Sequence, residues 1–204
     1  MSESRYTAFF RQEADRELRP LADTPDDELV ARVACGDEAA CGLLLERHLP
    51  RINALARRML KSPEDAEEVA QEVFLRVWTQ AEKWEPGRAQ FRTWLFRVAT
   101  NLCLDRLRRP RMDDLEGISE PLSADPDPEE ALQQKGLTQR VEKALQTLPE
   151  RQRAAIVLCH YQGLTNIEAA ETLDISVEAV ESLLSRARRQ LRELLATEMD
   201  MLNV

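Results

Sequence analysis

The chain has 204 residues, 43% of them apolar, with a formal net charge of -9. That apolar content can build one domain or two small ones and excludes a natively unfolded chain. No apolar run approaches the roughly 18 residues of a membrane span, and MSESRYTAFFRQEADRELRP lacks a signal-peptide core, so a cytoplasmic protein without membrane insertion is expected. Cys35, Cys41, Cys103 and Cys159 show no CxxC, and with only His48 and His160 there is no zinc spacing. The cysteines read as reduced, largely buried thiols; Cys35 and Cys41 point to different sides of a helix, so a redox pair there is a weak alternative. Metal and cofactor are expected to be none.

An acidic balance argues against nucleic acid only if it is spread evenly, because screened charges act over about 10 Å. It is not. From Pro86 to Arg111 seven arginines (88, 92, 97, 106, 108, 109 and 111) face the single Asp105, a net of +6. From Arg111 to Glu130 eight acids face one arginine, a net of -7. A basic surface is thus followed by an acidic tether.

In chain order, residues 1–23 carry no clear signal and read as an extension. Thr24-Pro25-Asp26-Asp27 predicts an N-cap and a helix to about Cys35, stopped at Gly36. Asp37 caps the next helix. Pro50 removes an amide and disfavours helical geometry at Leu49, so Glu38 to Leu60 is expected as two helices. Ser62-Pro63-Glu64-Asp65 opens another, to about Glu82; EKWEPGRAQ is a loop, and Phe91 to Arg109 is a helix ended by Pro110. RMDDLEGISEPLSADPDPEE cannot bury enough to fold alone and reads as a linker. Beyond it Ala131 to Thr147, Glu150 to Gln162, Asn166 to Leu173 and Val177 to about Ala196 read as helices. No stretch sustains the period of two expected of a strand. The expected fold is all-α: two small helical domains, 24–110 and 131–197, on a flexible acidic linker at 111–130, with a tail at 198–204.

On the helix from Pro63 to Glu82, Ala66, Val69, Ala70, Val73, Phe74, Val77, Trp78 and Ala81 form the core stripe. Glu68, Gln71, Glu72, Leu75 and Thr79 lie opposite. A solvated helix surface looks the same, except that Leu75 puts an apolar centre in the polar arc, as a docking face for a basic partner would. From Phe91 to Arg109 the buried stripe is Phe91, Leu95, Val98, Ala99 and Leu102. Trp94, Arg97, Asn101, Leu104 and Arg108 line an adjacent face that suits unpaired bases, which need stacking and charge neutralisation; a solvated basic helix with Trp94 in the core is the alternative.

Thr165-Asn166-Ile167-Glu168 is a capping box, Leu173 to Ser176 a tight joint, and Ser176 a cap for a second helix whose buried stripe is Val177, Val180, Leu184, Ala187, Leu191 and Leu194. That is a helix-turn-helix layout, in which the second helix enters the major groove. Glu178, Glu181, Ser182, Ser185, Arg186 and Arg189 are left facing outward. Short paired helices are also often purely structural.

These segments together resemble a known family, the extracytoplasmic-function sigma factors of bacterial RNA polymerase, over about Asp26 to Leu195. DDELVARVACGDEAACGLLLERHLPRINALARRML, SPEDAEEVAQEVFLRVW and FRTWLFRVATNLCLDRLRR look like the family's sigma-2 regions in order. LQTLPERQRAAIVLCHYQGLTNIEAAETLDISVEAVESLLSRARRQLREL looks like its sigma-4 domain.

The resemblance implies an alternative sigma factor that directs promoter-specific initiation, with core RNA polymerase (its clamp coiled coil and flap), promoter DNA and an anti-sigma factor as partners. It makes Glu68, Gln71, Glu72 and Leu75 the polymerase-binding face. It assigns the -10 element to Arg88, Ala89, Gln90, Phe91, Trp94, Arg97, Asn101 and Arg108, with the first four bordering a pocket for a flipped base. It assigns the -35 element to Glu181, Ser182, Ser185, Arg186 and Arg189. The acidic linker would thread the polymerase's basic channel, and without a long extra C-terminal domain, regulation would come from outside.

Two departures stand out: the family commonly has a basic residue where Glu181 stands and arginine where Leu183 stands. A carboxylate can accept from cytosine N4, which implies an altered -35 preference. Three other classes compete. A sigma mimic that only sequesters an anti-sigma factor would not need a melting surface. A helix-turn-helix response regulator would need an α/β receiver domain. An enzyme would need a site, yet there is no glycine-rich phosphate loop, and Cys159 and His160 diverge by about 100° on a helix.

Overall fold

The computed structural model describes residues 23–85, 87, 90–108 and 140–202, with side chains to residue 196. The expected extension (to residue 22), Arg88, Ala89, Arg109, the linker at 111–130 and the first part of the helix foreseen from Ala131 lie outside the described residues. All the longer elements among the described residues are helical: α1 Asp26–Ala34, α2 Glu38–Met59, α3 Pro63–Gln80, α4 Phe91–Arg108, α5 at 140–147, α6 Glu150–Ile156, α7 Asn166–Leu173 and α8 Val177–Leu202.

Local capping chemistry sets most boundaries. The Asp37 carboxylate accepts from the Ala40 amide at 3.0 Å, the Ser62 hydroxyl from the Asp65 amide at 3.0 Å, and the Ser176 hydroxyl from the Ala179 amide at 3.2 Å. After α1 the chain turns at Gly36 with φ +84°, a region glycine enters without penalty.

Four expectations fail on detail. Thr24 does not cap α1 with its side chain; it is buried, and its carbonyl accepts from Arg47 at 2.7 Å, leaving Pro25 as the N-cap. Pro50 does not split α2, which runs unbroken. Its exposed position lets water take the carbonyl it leaves unbonded, while Leu44, Ile52, Leu55, Ala56 and Met59 bury both flanks in one core. After Ile156 the chain does not stay α-helical to Gln162 but widens into a π-helical turn, Val157–Tyr161, whose last bond runs from the Gln162 amide to the Val157 carbonyl at 3.0 Å. And α8 continues through Leu202, so most of the foreseen tail is helix.

Helices α1 to α4 pack together as one unit and α6 to α8 as a second, to which Arg153 ties α5 through Gln146. The two are in contact: α4 packs on α6 and α7, and α2 on α6 and the π turn, so the buried apolar residues of both units form one continuous cluster from Leu29 to Ala187. A polar seam runs beside it. Arg153, 5% exposed, donates to the Met59 carbonyl at the end of α2 at 2.6 Å, and Gln146 donates to the Arg58 carbonyl at 3.0 Å. In the other direction Arg92 of α4 donates to the Gln162 carbonyl at 2.8 Å.

Candidate polymerase and nucleic-acid interfaces

The start of α4 is held by an aromatic block. Phe91 stacks on Trp94 at 5.8 Å; Trp84 meets both edge-on, at 5.6 and 6.0 Å, and the His48 ring meets Phe91 at 5.6 Å. Polar groups from α1 orient the rings: Trp84 Nε1 donates to Asp27 at 3.2 Å, and Asp26 joins His48 Nε2 at 2.7 Å. Burial pushes the Asp26 carboxyl up, but hydrogen bonds from His48 and Arg47 outweigh it and hold it below the usual range. Trp84, Phe91 and Trp94, with Val30, Gln80 and Lys83, border a small open pocket.

From that base Arg97, Asn101 and Arg108 project into solvent along α4, and Gln90 is exposed just before it. Among the described residues Arg97 and Arg108 make long ion pairs, each 3.8 Å, to Asp174 and Asp105. Phe91 is buried although it lines the pocket, and Trp94 is half-buried. Leu104 leaves the expected face: it is 5% exposed, as are Thr93, Phe96, Thr100 and Cys103 to similar or lesser degree. α4 therefore buries a wider arc than one stripe, because the second unit covers its far side.

On α3, Glu68, Gln71 and Leu75 are exposed and Glu72 half-exposed, with Leu75 at 56%. Glu68 pairs with Arg106 of α4 at 2.8 Å, and Glu72 with Arg76 at 3.0 Å. Trp78, expected in the core, is 42% exposed. It sits at the edge of the core stripe, three residues from Leu75, and enlarges the apolar centre of the face.

The α7–α8 pair forms as expected. Glu168 accepts from the Thr165 amide at 2.7 Å while the Thr165 hydroxyl accepts from the Glu168 amide at 3.2 Å; the Thr165 bonds hold the Glu168 carboxyl low. Asp174 makes the joint at φ +54°, a left-handed conformation that a short polar side chain tolerates. Glu181, Ser185, Arg186 and Arg189 are exposed on α8 and Ser182 is half-buried. Leu183 instead packs on the core, so it is no reading position. Glu181 accepts from Asn166 of α7 at 3.5 Å.

The thiols of Cys41, Cys103 and Cys159 are all pushed up by burial, that of Cys103 to about 12, which keeps them protonated; Cys35, expected to be buried, is exposed. No metal-binding cluster occurs among the described residues, and none of their helices is long and apolar enough to cross a membrane. The sequence reading missed Arg92, Gln146 and Arg153. The one signal was Arg153 running directly into the apolar Ala154, Ala155 and Ile156.

Comparison with known proteins bears on both units. Residues 44–111 match the model of Sigma-70 region 2 and residues 138–191 that of Sigma-70, region 4. SigW of Bacillus subtilis, an ECF RNA polymerase sigma factor, is 32% identical over 81% of this chain and 94% of its own. The chain belongs to the extracytoplasmic-function sigma factors. The ECF sigma factor SigE of Mycolicibacterium smegmatis is 37% identical over 80% of this chain, though the match spans only 65% of that relative. CnrH of Cupriavidus metallidurans is 34% identical over 83% of this chain and 94% of its own.

Among solved structures, CnrH in complex with the cytosolic domain of CnrY superposes with a TM-score of 0.65 at 31% identity, covering 84% of this chain and 97% of that one. RpoE bound to the anti-sigma factor NepR from Bartonella quintana gives 0.61 at 28%, covering 74% and 94%. Sigma factors of this family are transcription initiation factors rather than enzymes.

Proposed function

We propose that this sigma factor engages core polymerase through Glu68, Gln71, Glu72 and Leu75, with Trp78 beside them, and opens and reads the -10 element through α4 and the loop before it. Residues 24–110 are its sigma-2 domain and 131–197 its sigma-4 domain. The observation that carries this reading is the exposed row Arg97, Asn101 and Arg108 rising from the Phe91–Trp94–Trp84 block, on the same chain as an outward-facing α8. Cations neutralise phosphates, the amide can bond a base edge, and Trp94, the least buried of the three rings, can supply a stacking surface beside an open pocket.

The -35 element falls to Glu181, Ser182, Ser185, Arg186 and Arg189 on α8. Arginines on this face can bond phosphates or guanine, whereas Glu181 can accept from cytosine N4. RpoE, a structurally similar sigma factor crystallised with an anti-sigma factor, supports control of this chain by a protein of that kind. Soluble action on the chromosome in the cytoplasm follows from the same reading.

The test is transcription by core polymerase on fragmented genomic DNA, with and without the protein, sequencing transcript 5′ ends. New starts sharing two spaced upstream elements are expected. Tight binding to polymerase or to an anti-sigma factor with no new starts would identify a mimic instead.

A further inference from the structure

The α7–α8 pair contains one contact that neither capping nor core packing requires. Glu181 is exposed near the start of α8, where the second helix of such a motif meets base edges. Asn166, the first residue of α7, donates from Nδ2 to Glu181 Oε1 at 3.5 Å. An exposed bond of that length adds little to stability. What it does is fix the place of one carboxylate oxygen.

The amide that makes this bond is itself held. Cys159, in the π turn, donates from its thiol to Asn166 Oδ1 at 3.9 Å. Burial pushes the Cys159 thiol up, so it keeps the hydrogen it donates. An asparagine side chain has one accepting end and one donating end. With a thiol at the first and a carboxylate, which only accepts, at the second, one orientation of the amide satisfies both. The path Cys159, Asn166, Glu181 thus leads from two half-buried side chains to an exposed one.

The next residue of the π turn acts on α8 differently. Arg188 donates to His160 Nε2 from two nitrogens, at 3.3 and 3.1 Å; a guanidinium only donates, so the ring nitrogen accepts. Arg188 lies seven positions beyond Glu181, two turns along the same face. His160 therefore braces the helix, whereas Asn166 holds a single side chain on it. No lysine or arginine stands between Arg153 and Arg186. Held by a neutral amide rather than a cation, the Glu181 carboxylate keeps its charge and its second oxygen for a ligand.

We propose that Asn166 is a positioning residue for -35 recognition: it holds Oε1 of Glu181 and leaves Oε2 to accept from the N4 amino group of a cytosine. This deepens the assignment of Glu181 to the -35 element and rests on it.

The experiment uses the full chain with core polymerase on the promoter found by transcript-start sequencing. Its -35 element is randomised, and each template carries a transcribed barcode. Parent, Asn166→Ala, Glu181→Ala, the double variant and His160→Ala are compared, with circular dichroism confirming helix content. Asn166→Ala should lower the preference for cytosine at one -35 position about threefold. It should add nothing once Glu181 is alanine, and His160→Ala should leave the base preference as it was. In the free chain, the side-chain amide NMR signals of Asn166 should shift as Glu181 is protonated and lose that shift in Glu181→Ala. An amide that does not respond to Glu181 overturns the contact. Unchanged base preference in Asn166→Ala, an equal loss in the Glu181→Ala background, or an equal loss from His160→Ala overturns the positioning role alone. If Glu181→Ala keeps the parent's base preference, or the parent initiates nowhere, the proposed reading of the -35 element fails and the positioning role with it, while the amide signal still reports the contact.

Discussion

The faces of α3 and α4 lie on neighbouring helices of one unit, yet the second unit treats them differently. On α3, Leu75 and Trp78 remain open to solvent, at 56% and 42%. On α4, the second unit covers one side and reaches Arg97 through Asp174 at 3.8 Å. The face proposed for polymerase is thus open to solvent, whereas the helix proposed for DNA is covered along one side.

The strongest way to break that contrast is to remove the platform of α4. Phe91→Ala takes away a buried ring shared by Trp84, Trp94 and His48 and should cost about 3–5 kcal/mol in urea unfolding. A loss below 1 kcal/mol would mean the aromatic block does not hold α4.

Next comes the open face. Leu75→Asp should weaken polymerase binding by about 2–4 kcal/mol, as for an interface hot spot, and leave the unfolding midpoint unchanged because the residue is exposed; a competition assay with core polymerase reads it.

A smaller effect is expected on α8. Glu181→Lys should change the preferred -35 base by about 1–3 kcal/mol of discrimination, visible as a changed set of transcript starts; an unchanged set would remove Glu181 from the reading surface.

The smallest concerns the frame of α8. Glu168→Gln weakens the capping box and should cost about 1 kcal/mol. The Glu168 carboxyl is held below its ordinary 4.5. Its stabilisation is therefore present above that value and is lost as pH falls through the lower, folded value. The stability difference between parent and variant should shrink over that acid range; a constant difference would show that the charge contributes nothing.

Local chemistry was legible in the sequence. The caps at Asp37, Ser62, Thr165 and Ser176, the outward row Arg97, Asn101 and Arg108, the apolar interruption at Leu75 and the helix-turn-helix all depend on residues within a turn or two of one another, where geometry is fixed by helical period. Where a side chain's fate depended on a distant element, the sequence was silent or misleading. Trp78 and Leu104 both sit at the edge of a stripe, and only the position of neighbouring helices sent the first outward and the second inward. Pro50 remained inside α2 because burial of both flanks outweighed its local cost.

The sequence by itself therefore determined two helical units, their charge pattern and the outward rows of α3, α4 and α8. Only the tertiary structure decided how the units meet. Arg153 is a charged residue in a helix to any local rule; it becomes a buried cap because the end of α2, 94 positions away, presents a carbonyl with no partner of its own.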